Sequence, residues 1–146
     1  MPTVQDATLA GLDPLTLYRI LRLRSEVFVV EQDCAYLDLD GRDAEPDARQ
    51  LWIAGPDGSV LATLRLLTDP GEVARIGRVA TARSARREGL AADLMRRALE
   101  LAGAHAVVLD AQSYLVGWYG RFGFVADGSE YLEDGIPHTP MHRAAR

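Results

Sequence analysis

The chain has 146 residues, of which 48% are hydrophobic and 25% are charged, and its formal net charge is −5. This composition predicts one globular domain and excludes disordered and fibrous chains. No apolar run is long enough to cross a membrane, and the first residues have neither the basic start nor the apolar block of a signal peptide. The lone Cys34 cannot form an intrachain disulfide, so we expect a protein of the reducing cytoplasm.

The first predicted element is a helix over residues 13–29. Asp13 is a favourable N-cap, and Pro14 fits the first turn. Apolar residues recur along this segment at helical spacing, and Arg24 falls inside the apolar face. Arg24 therefore either extends outward to solvent or pairs with an acid that follows it, and the sequence leaves both open. A polar, acidic loop is predicted over residues 31–48.

The rest of the chain predicts a mixed α/β sheet in one domain. Strands over residues 51–54 and 59–67 form a hairpin around the turn Gly55-Pro56-Asp57-Gly58. A strand over 73–81, a helix over 89–102, a strand over 106–111 and a helix over 113–122 follow. Two final strands are predicted over residues 124–127 and 138–142.

Charge is distributed unevenly along this order of elements. Residues 31–47 contain seven acids and one arginine, whereas residues 75–97 contain seven arginines and two acids. Two opposite poles would suit one anionic and one cationic ligand. Two solvated surfaces explain the same counts equally well.

The segment RREGLAADLM, residues 86–95, places two arginines and a glycine at the start of the second long helix. A helix N-terminus exposes unpaired N–H groups with partial positive charge, and glycine lets a ligand approach the backbone closely. These features favour binding of phosphate oxygens, although a helix that simply follows a basic loop has the same pattern. The motifs GxxxxGK[ST] and GxGxxG are absent, which argues against nucleotide hydrolysis and nicotinamide binding.

Two spaced motifs resemble those of the Gcn5-related N-acetyltransferase (GNAT) family. Arg86-x-x-Gly89-x-Ala91 matches the family's R/Q-x-x-G-x-G/A, and Tyr119-x-x-x-Gly123-Phe124 matches its Y-x-x-x-G-F. The segments VFVVEQ (27–32), DLDG (38–41) and EDGIPH (133–138) are similar to the ElaA-like branch of that family. This sequence departs from common family residues at three positions, which are Arg87 for glycine, Ala91 for glycine and Gln112 for asparagine.

The resemblance implies an acyl-CoA N-acyltransferase fold over residues 1–146, with a mixed, mostly antiparallel sheet whose central strands splay apart. It implies acetyl-CoA as the acyl donor and coenzyme A as a product. Main-chain N–H groups of the phosphate motif would bind the pyrophosphate, and the strand before it would pair with the pantetheine arm. The implied cofactor-binding residues are Val79, Ala80, Thr81, Arg86, Arg87, Glu88, Gly89, Leu90, Ala91, Gln112 and Tyr119.

The resemblance also implies direct attack by an amine in a ternary complex, with Tyr119 as the general acid. A phenol with a pKa of ~10 can protonate a thiolate whose conjugate acid has a pKa of ~8.5 when the two groups touch. The helical spacing of Leu115, Trp118, Tyr119 and Phe122 alone would favour a structural role in the core. Cys34 is not needed as a nucleophile in this reaction.

The general base is not determined, because the strand before the phosphate motif lacks the glutamate found in many relatives. The candidates are Glu31, Asp40 and His138, and an ion-paired or surface carboxylate explains the two acids equally well. The acidic region 31–47, with Glu133 and Asp134, is predicted to face the acceptor and to favour a cationic amine. The candidate acceptor-binding residues are Arg24, Glu31, Asp38, Asp40, Arg78 and His138.

Other functions fit the sequence less well. His138 and His142 lack a third ligand for zinc, and residues 38–43 lack the glycine position and closing glutamate of a calcium loop, so we expect no metal. The acidic net charge disfavours nucleic acid as a partner. A non-catalytic coenzyme A sensor on the same fold is the main alternative, and the protein could be a monomer or a homodimer.

Overall fold

The computed structural model describes residues 3–146, and its centre is a mixed eight-stranded sheet. The strands are β1 (Gln5–Thr8), β2 (Arg49–Ala54), β3 (Val60–Asp69), β4 (Val73–Thr81), β5 (Val107–Gln112), β6 (Val125–Ala126), β7 (Tyr131–Glu133) and β8 (Ile136–Arg143). Their order is β1-β2-β3-β4-β5-β8-β6, and β7 pairs with β8. The β4–β5 pair is parallel and the other neighbouring pairs are antiparallel, so the predicted mixed, mostly antiparallel α/β fold is confirmed.

Helix α1 (Pro14–Arg24) begins as predicted. The Asp13 side chain accepts a hydrogen bond from the Thr16 N–H over 3.0 Å and caps the helix. The prediction of one regular helix to residue 29 was wrong, because the chain continues from Ser25 to Glu31 as a π-helix. Turns of this type are wider than α-helical turns and often occur at functional sites. Here the π-helix buries Val27 and Phe28 and ends at Glu31.

Two helices cover opposite faces of the sheet. Leu51 and Ile53 of β2 belong to the core cluster that contains helix α2 (Leu90–Ala102), whereas Trp52 between them packs in the cluster of α1. Successive strand residues point to opposite faces, so the sheet lies between the two helices. On the α2 side, Leu94 and Met95 are fully buried.

The C-terminal elements differ from their predicted bounds. The predicted helix 113–122 is a 3₁₀ turn (Ser113–Leu115) followed by a short helix α3 (Val116–Gly120). Strands β1 and β7 were not predicted, because their residues are few, lack an apolar alternation and are exposed or half-buried. They form at the margin of the sheet through pairing with β2 and β8.

Within residues 3–146, no helix is both long and apolar enough to span a membrane.

Candidate functional site

The central feature of the candidate site is the divergence of β4 from β5. The two strands pair only at Ala74–Val107 and Arg75–Val108, although β4 continues to Thr81. A groove with a volume of about 690 Å³ opens beyond this point. Its lining includes the free edge of β4, the end of the π-helix, the face of β5 and β8, and residues of α3.

A bulge in β4 lies at the start of this free edge. Thr63 of β3 is opposite Ala80 and Arg65 is opposite Gly77, so β4 contains one extra residue between these pairs. Arg78 lies in the bulge with a positive φ of 52°. This value is uncommon for a residue with a side chain, so the bulge requires support from its surroundings.

The hydrogen-bond pattern after the bulge directs the backbone of Val79 into the groove. The N–H of Ala82 donates to the carbonyl of Leu61 over 2.7 Å. Hydrogen-bonded pairs alternate along an antiparallel ladder, so Ala80 faces Thr63 in the next such pair. The peptide groups of Val79 and Thr81 consequently point away from β3, toward the side from which β5 has diverged.

The phosphate motif forms a tight loop before α2. Arg87 has a φ of 69° and Gly89 has a φ of 78°, and Gly89 provides no side-chain cap for the helix. The first N–H groups of α2 therefore lack an intrahelical partner. A Cβ atom at Gly89 would meet nothing within 4 Å, so there is open space in front of this backbone for a ligand oxygen. These features fit the diphosphate of a coenzyme A molecule.

Arg86 does not extend freely from this loop. Its Nε–H donates to the carbonyl of Thr81 over 3.1 Å, and its two terminal nitrogens donate to the two carboxylate oxygens of Glu31, each over 2.6 Å. Hydrogen bonding from Arg86 lowers the pKa of Glu31. Glu31 is therefore a poor proton acceptor in this arrangement. The Arg83 side chain is 80% exposed, and its Nη2 lies 3.8 Å from a carboxylate oxygen of the same Glu31.

Tyr119 of α3 lies at the junction of the core and the groove. The residue is only 6% exposed, and its ring makes edge contacts with Trp118 and Phe124 at centroid distances of 4.9 and 6.4 Å. It also lines the groove. Burial, with a smaller contribution from Tyr114, raises the pKa of Tyr119 to about 12. The phenol is therefore protonated at neutral pH and can donate a proton.

His138 also lines the groove, on β8 beside Gln112 of β5. Its Nδ1 is 2.8 Å from the carbonyl oxygen of Ile136. A carbonyl oxygen can only accept, so Nδ1 carries the proton and Nε2 of the neutral ring has a free lone pair. The ring is stacked on Tyr131 at a centroid distance of 5.8 Å. Its Nε2 is 4.0 Å from a carboxylate oxygen of Glu133.

Six side chains form a closed cycle of alternating charge beside the bulge, which we call the Arg–Asp ring. Successive nitrogen–oxygen distances around it are 2.9, 2.7, 3.3, 2.8, 3.3 and 2.7 Å. It joins the end of α1, the loop before β2, β3 and β4. In order around the cycle, its members are Arg24, Asp38, Arg78, Asp40, Arg65 and Asp43.

The contacts of Arg24 in the ring decide between the two alternatives that the sequence left open for this residue. Arg24 is fully buried and contacts both Asp38 and Asp43, so it does not extend to solvent. Burial alone would lower its pKa, but hydrogen bonds and charge from the two aspartates outweigh burial and raise it. Neither Arg24 nor Asp38 is among the residues that line the groove.

Asp40 lines the groove but is held by ring arginines. Arg65 donates to both of its carboxylate oxygens, over 2.8 and 3.0 Å. Burial alone would raise the pKa of Asp40, but these bonds, the Arg42 N–H and the nearby charges hold it well below its usual range. Asp40 is therefore also a poor proton acceptor.

The structure corrects the expected acidic pole of residues 31–47. Arginines from other elements neutralise Glu31 and the three ring aspartates, and Arg42 pairs with Glu45. The acids of residues 31–47 therefore do not make the wall of the groove negatively charged. The groove instead contains Glu133 and Asp134 at the turn between β7 and β8. Within residues 3–146, neither has an arginine within ion-pair distance.

Most of the predicted site residues meet at the groove. Its lining includes Val79, Ala80, Thr81, Arg86, Gln112, Tyr119, Glu31, Asp40, Arg78 and His138. Arg87, Glu88, Gly89, Leu90 and Ala91 form the loop and helix start that follow Arg86.

The sequence analysis did not identify Arg65, Asp110, Tyr36 and Tyr131 as site residues. An arginine within the otherwise apolar strand LATLRLL was the available signal for Arg65. Asp110 pairs with Arg75 across the point where β4 and β5 diverge, at 2.9 Å, and no local pattern indicated that contact.

Comparison with known proteins is consistent with this geometry. A family model described as an acetyltransferase (GNAT) domain matches residues 26–145. The protein ElaA of Escherichia coli is 39% identical over 145 residues, which cover 95% of this chain and 94% of ElaA. A UPF0039 protein of Mycobacterium tuberculosis is 49% identical over 135 residues, which cover 90% and 86% of the two chains.

A solved structure of an acyl-CoA N-acyltransferase from Pseudomonas aeruginosa has a TM-score of 0.91 and 44% identity, covering 97% of this chain and 99% of that one. The crystal structure of Escherichia coli ElaA has a TM-score of 0.90 and 37% identity, covering 98% and 99%. The chain therefore belongs to the GNAT family and is a homologue of ElaA. Family and fold support an acyl-CoA N-acyltransferase activity.

The depressed pKa of Asp40 predicts an acid-dependent loss of stability. A carboxylate whose pKa is lowered on folding stabilises the protein above its unfolded pKa of ~3.9, and this contribution is lost as the pH falls toward the folded value. Asp40→Asn should lower the melting temperature at neutral pH. The difference in melting temperature between the variant and the wild type should become smaller at acidic pH. Thermal unfolding at a series of pH values measures this.

The exposed Glu130 provides the control for this experiment. Glu130→Gln should stay close to the wild type at every pH. A difference for Asp40→Asn that does not change with pH would contradict the prediction.

Proposed function

We propose that this protein transfers the acetyl group of acetyl-CoA to a cationic primary amine by direct attack in a ternary complex. The main observation behind this proposal is the free edge of β4, which lines the same groove as Arg86 of the phosphate motif and Tyr119. In the reaction, the ammonium group of the acceptor first gives a proton to the general base. The neutral amine nitrogen then forms a bond to the thioester carbonyl carbon, and the carbon–sulfur bond breaks. The nitrogen loses a second proton after the attack, and the leaving thiolate gains one.

The main chain is proposed to bind the acetyl-CoA. The N–H groups at the start of α2 would receive the diphosphate, with the exposed Arg83 and Arg87 nearby. The outward peptide groups of Val79 and Thr81 would pair with the pantetheine arm, as an added strand does. An N–H of this edge, for which Val79 is the best candidate, would stabilise the negative charge that develops on the carbonyl oxygen.

Tyr119 is proposed as the general acid. Its raised pKa keeps the proton on the phenol over the physiological range, and its position beside the groove allows contact with a bound thiol group. A thiol has a pKa of ~8.5, so a thiolate is a weaker base than the phenolate of Tyr119, and the proton transfer requires direct contact between sulfur and phenol as the carbon–sulfur bond breaks.

Among the three candidate bases, the geometry favours His138. Glu31 and Asp40 each accept two hydrogen bonds from an arginine, which stabilises their charged forms and weakens them as bases. Within residues 3–146, the Nε2 atom of His138 has no arginine that competes for its lone pair. Glu133 is placed to stabilise the imidazolium that forms when His138 accepts a proton.

The acceptor is proposed to be cationic because of Glu133 and Asp134. They are exposed carboxylates at the rim of the groove on the same hairpin as His138. The stacked Tyr131 and His138 rings beside them provide an aromatic surface that suits the alkyl part of an amine and the face of an ammonium group.

A coenzyme A sensor without catalysis remains the alternative. It would use the same phosphate loop and β4 edge, but it would need neither a protonated Tyr119 nor a histidine with a free lone pair. Thermal shift with acetyl-CoA tests binding for both functions. Release of thiol in the presence of an amine panel separates the enzyme from the sensor.

Replacement of Tyr119 tests the general acid. Tyr119→Phe should lower kcat by about a hundredfold or more, because the thiolate leaves without a proton donor, while the Kd for coenzyme A stays close to the wild type. Tyr114→Phe is the matched control, since Tyr114 lines the same groove but is exposed. A Tyr119→Phe variant that loses tight binding of coenzyme A but keeps the wild-type kcat would contradict the role of Tyr119 as general acid.

Replacement of His138 tests the general base. His138→Gln should lower kcat by about a hundredfold, because no side chain at this position then accepts the proton of the amine, while the Kd for coenzyme A stays close to the wild type. His142→Gln is the control from the same strand, since His142 does not line the groove. A kcat of His138→Gln equal to that of the wild type would assign the base elsewhere.

Replacement of the two rim carboxylates tests the class of acceptor. The double variant Glu133→Gln, Asp134→Asn should raise the KM for a cationic amine several-fold and should weaken the dependence of that KM on salt, because an attractive charge interaction is removed. The KM for acetyl-CoA should not change. Equal KM values for wild type and variant with every cationic amine would contradict this proposal.

A further inference from the structure

We propose that the Arg–Asp ring is a positioning device for the catalytic strand, and that Arg78 acts through it as a positioning residue. The ring would fix the bulge of β4 and with it the direction of the Val79 N–H. This inference rests on the proposed function, because it assumes that the β4 edge binds the thioester. It differs from the earlier expectation that Arg24, Asp38, Asp40 and Arg78 contact the acceptor.

The first argument is the backbone of Arg78. A φ of 52° places an ordinary residue in a left-handed conformation that persists only where surrounding contacts stabilise it. Its guanidinium supplies those contacts. The Nε atom is 2.7 Å from a carboxylate oxygen of Asp38, and Nη2 donates to the Asp38 carbonyl over 3.0 Å. The guanidinium also lies over the Tyr36 ring, 5.7 Å from its centroid.

The second argument is the rigidity of the ring's attachment points. Arg24 is the last residue of α1 and is completely buried, and Arg65 is a β3 residue that is only 4% exposed. The three aspartates lie on the loop between the π-helix and β2. The ring therefore joins this loop to three structured elements, and a movement of the loop would pull directly on the bulge through Asp38 and Asp40.

The third argument is charge. The ring contains three arginines and three aspartates in alternation, so each charge has two opposite neighbours. Such a cycle has no net charge with which to attract an ionic acceptor. Arginine suits this task because its planar fork can bridge two carboxylates, whereas the lysine ammonium is a compact point charge.

The consequence for catalysis is geometric. The N–H donor of an oxyanion site must lie within hydrogen-bond distance of the oxygen as its charge develops. A displacement of about 1 Å can lower a rate about a hundredfold. Weakening the ring should therefore reduce the chemical step for every nucleophile, including water, because the defect lies on the thioester side of the groove.

The experiment compares Arg78→Lys and Asp38→Asn with the wild type in the full chain. The rate of thiol release from acetyl-CoA is measured with water alone, with an amine that lacks a carboxylate, and with an amine that has one. Calorimetry gives the Kd for coenzyme A. The backbone ¹⁵N–¹H signal of Val79 reports the position of the strand without any need for activity. Arg49→Lys is the control, because Arg49 forms a half-buried ion pair with Asp6 away from the groove.

We expect both ring variants to lower kcat by about tenfold to a hundredfold, by a similar factor for all three nucleophiles, with the Kd for coenzyme A changed less than about threefold. The Val79 amide signal should shift in both ring variants and not in Arg49→Lys. A loss confined to the amine with a carboxylate would make Arg78 an acceptor contact and overturn the inference. Lower thermal stability with unchanged rates and an unchanged Val79 signal would also overturn it.

The outcomes separate this inference from the proposed function. If the wild type releases thiol at a measurable rate and the ring variants match it, the positioning role fails while the enzyme stands. If the wild type releases no thiol with water or any amine, the proposed function fails. The Val79 signal then decides whether the ring holds the strand, since it requires only the folded protein.

Discussion

The candidate site depends on the loss of pairing between β4 and β5 after Arg75. Two paired positions hold the parallel strands together at one end, and the remaining residues of β4 keep a ladder only with β3. Backbone groups that would otherwise be satisfied within the sheet become available to a ligand. The groove and the access to Tyr119 follow from this divergence, whereas the ladder with β3 after the bulge directs Val79 outward. The phosphate loop lies directly after the same strand.

Ion pairs between distant parts of the chain determine which charges remain available at the groove. Four acids of residues 31–47, which are Glu31, Asp38, Asp40 and Asp43, pair with arginines of α1, β3, β4 and the phosphate loop. The chain contains arginine but no lysine. The forked donors of an arginine side chain allow one residue to join two carboxylates. Among the carboxylates that line the groove, Glu133 and Asp134 have no arginine within ion-pair distance in residues 3–146. They lie on the β7–β8 hairpin, which puts the proposed acceptor charge beside His138.

Elements with strong local signals were predicted with nearly correct bounds. The N-cap Asp13, the turn Gly55–Gly58, the apolar face of α2 and the strand before it all depend on residues close in sequence. The π-helix was missed because its apolar spacing resembles that of an α-helix over one or two turns. Strands β1 and β7 were missed because their residues lack apolar alternation, and only their partners in the sheet hold them extended.

By itself the sequence determined the order of elements, the phosphate motif at the start of α2 and the tyrosine motif that follows, because each is encoded by residues within a few positions of one another. The tertiary structure decided where β4 leaves β5, that Arg24 is buried in a ring of six charges, and that Glu31 and Asp40 are bound by arginines while His138 keeps a free lone pair. The ion pairs of the ring, Glu31 and Asp40 join residues that are from 14 to 55 positions apart in the chain. No local pattern specifies such pairings, since they form only when the sheet and helices bring the side chains together.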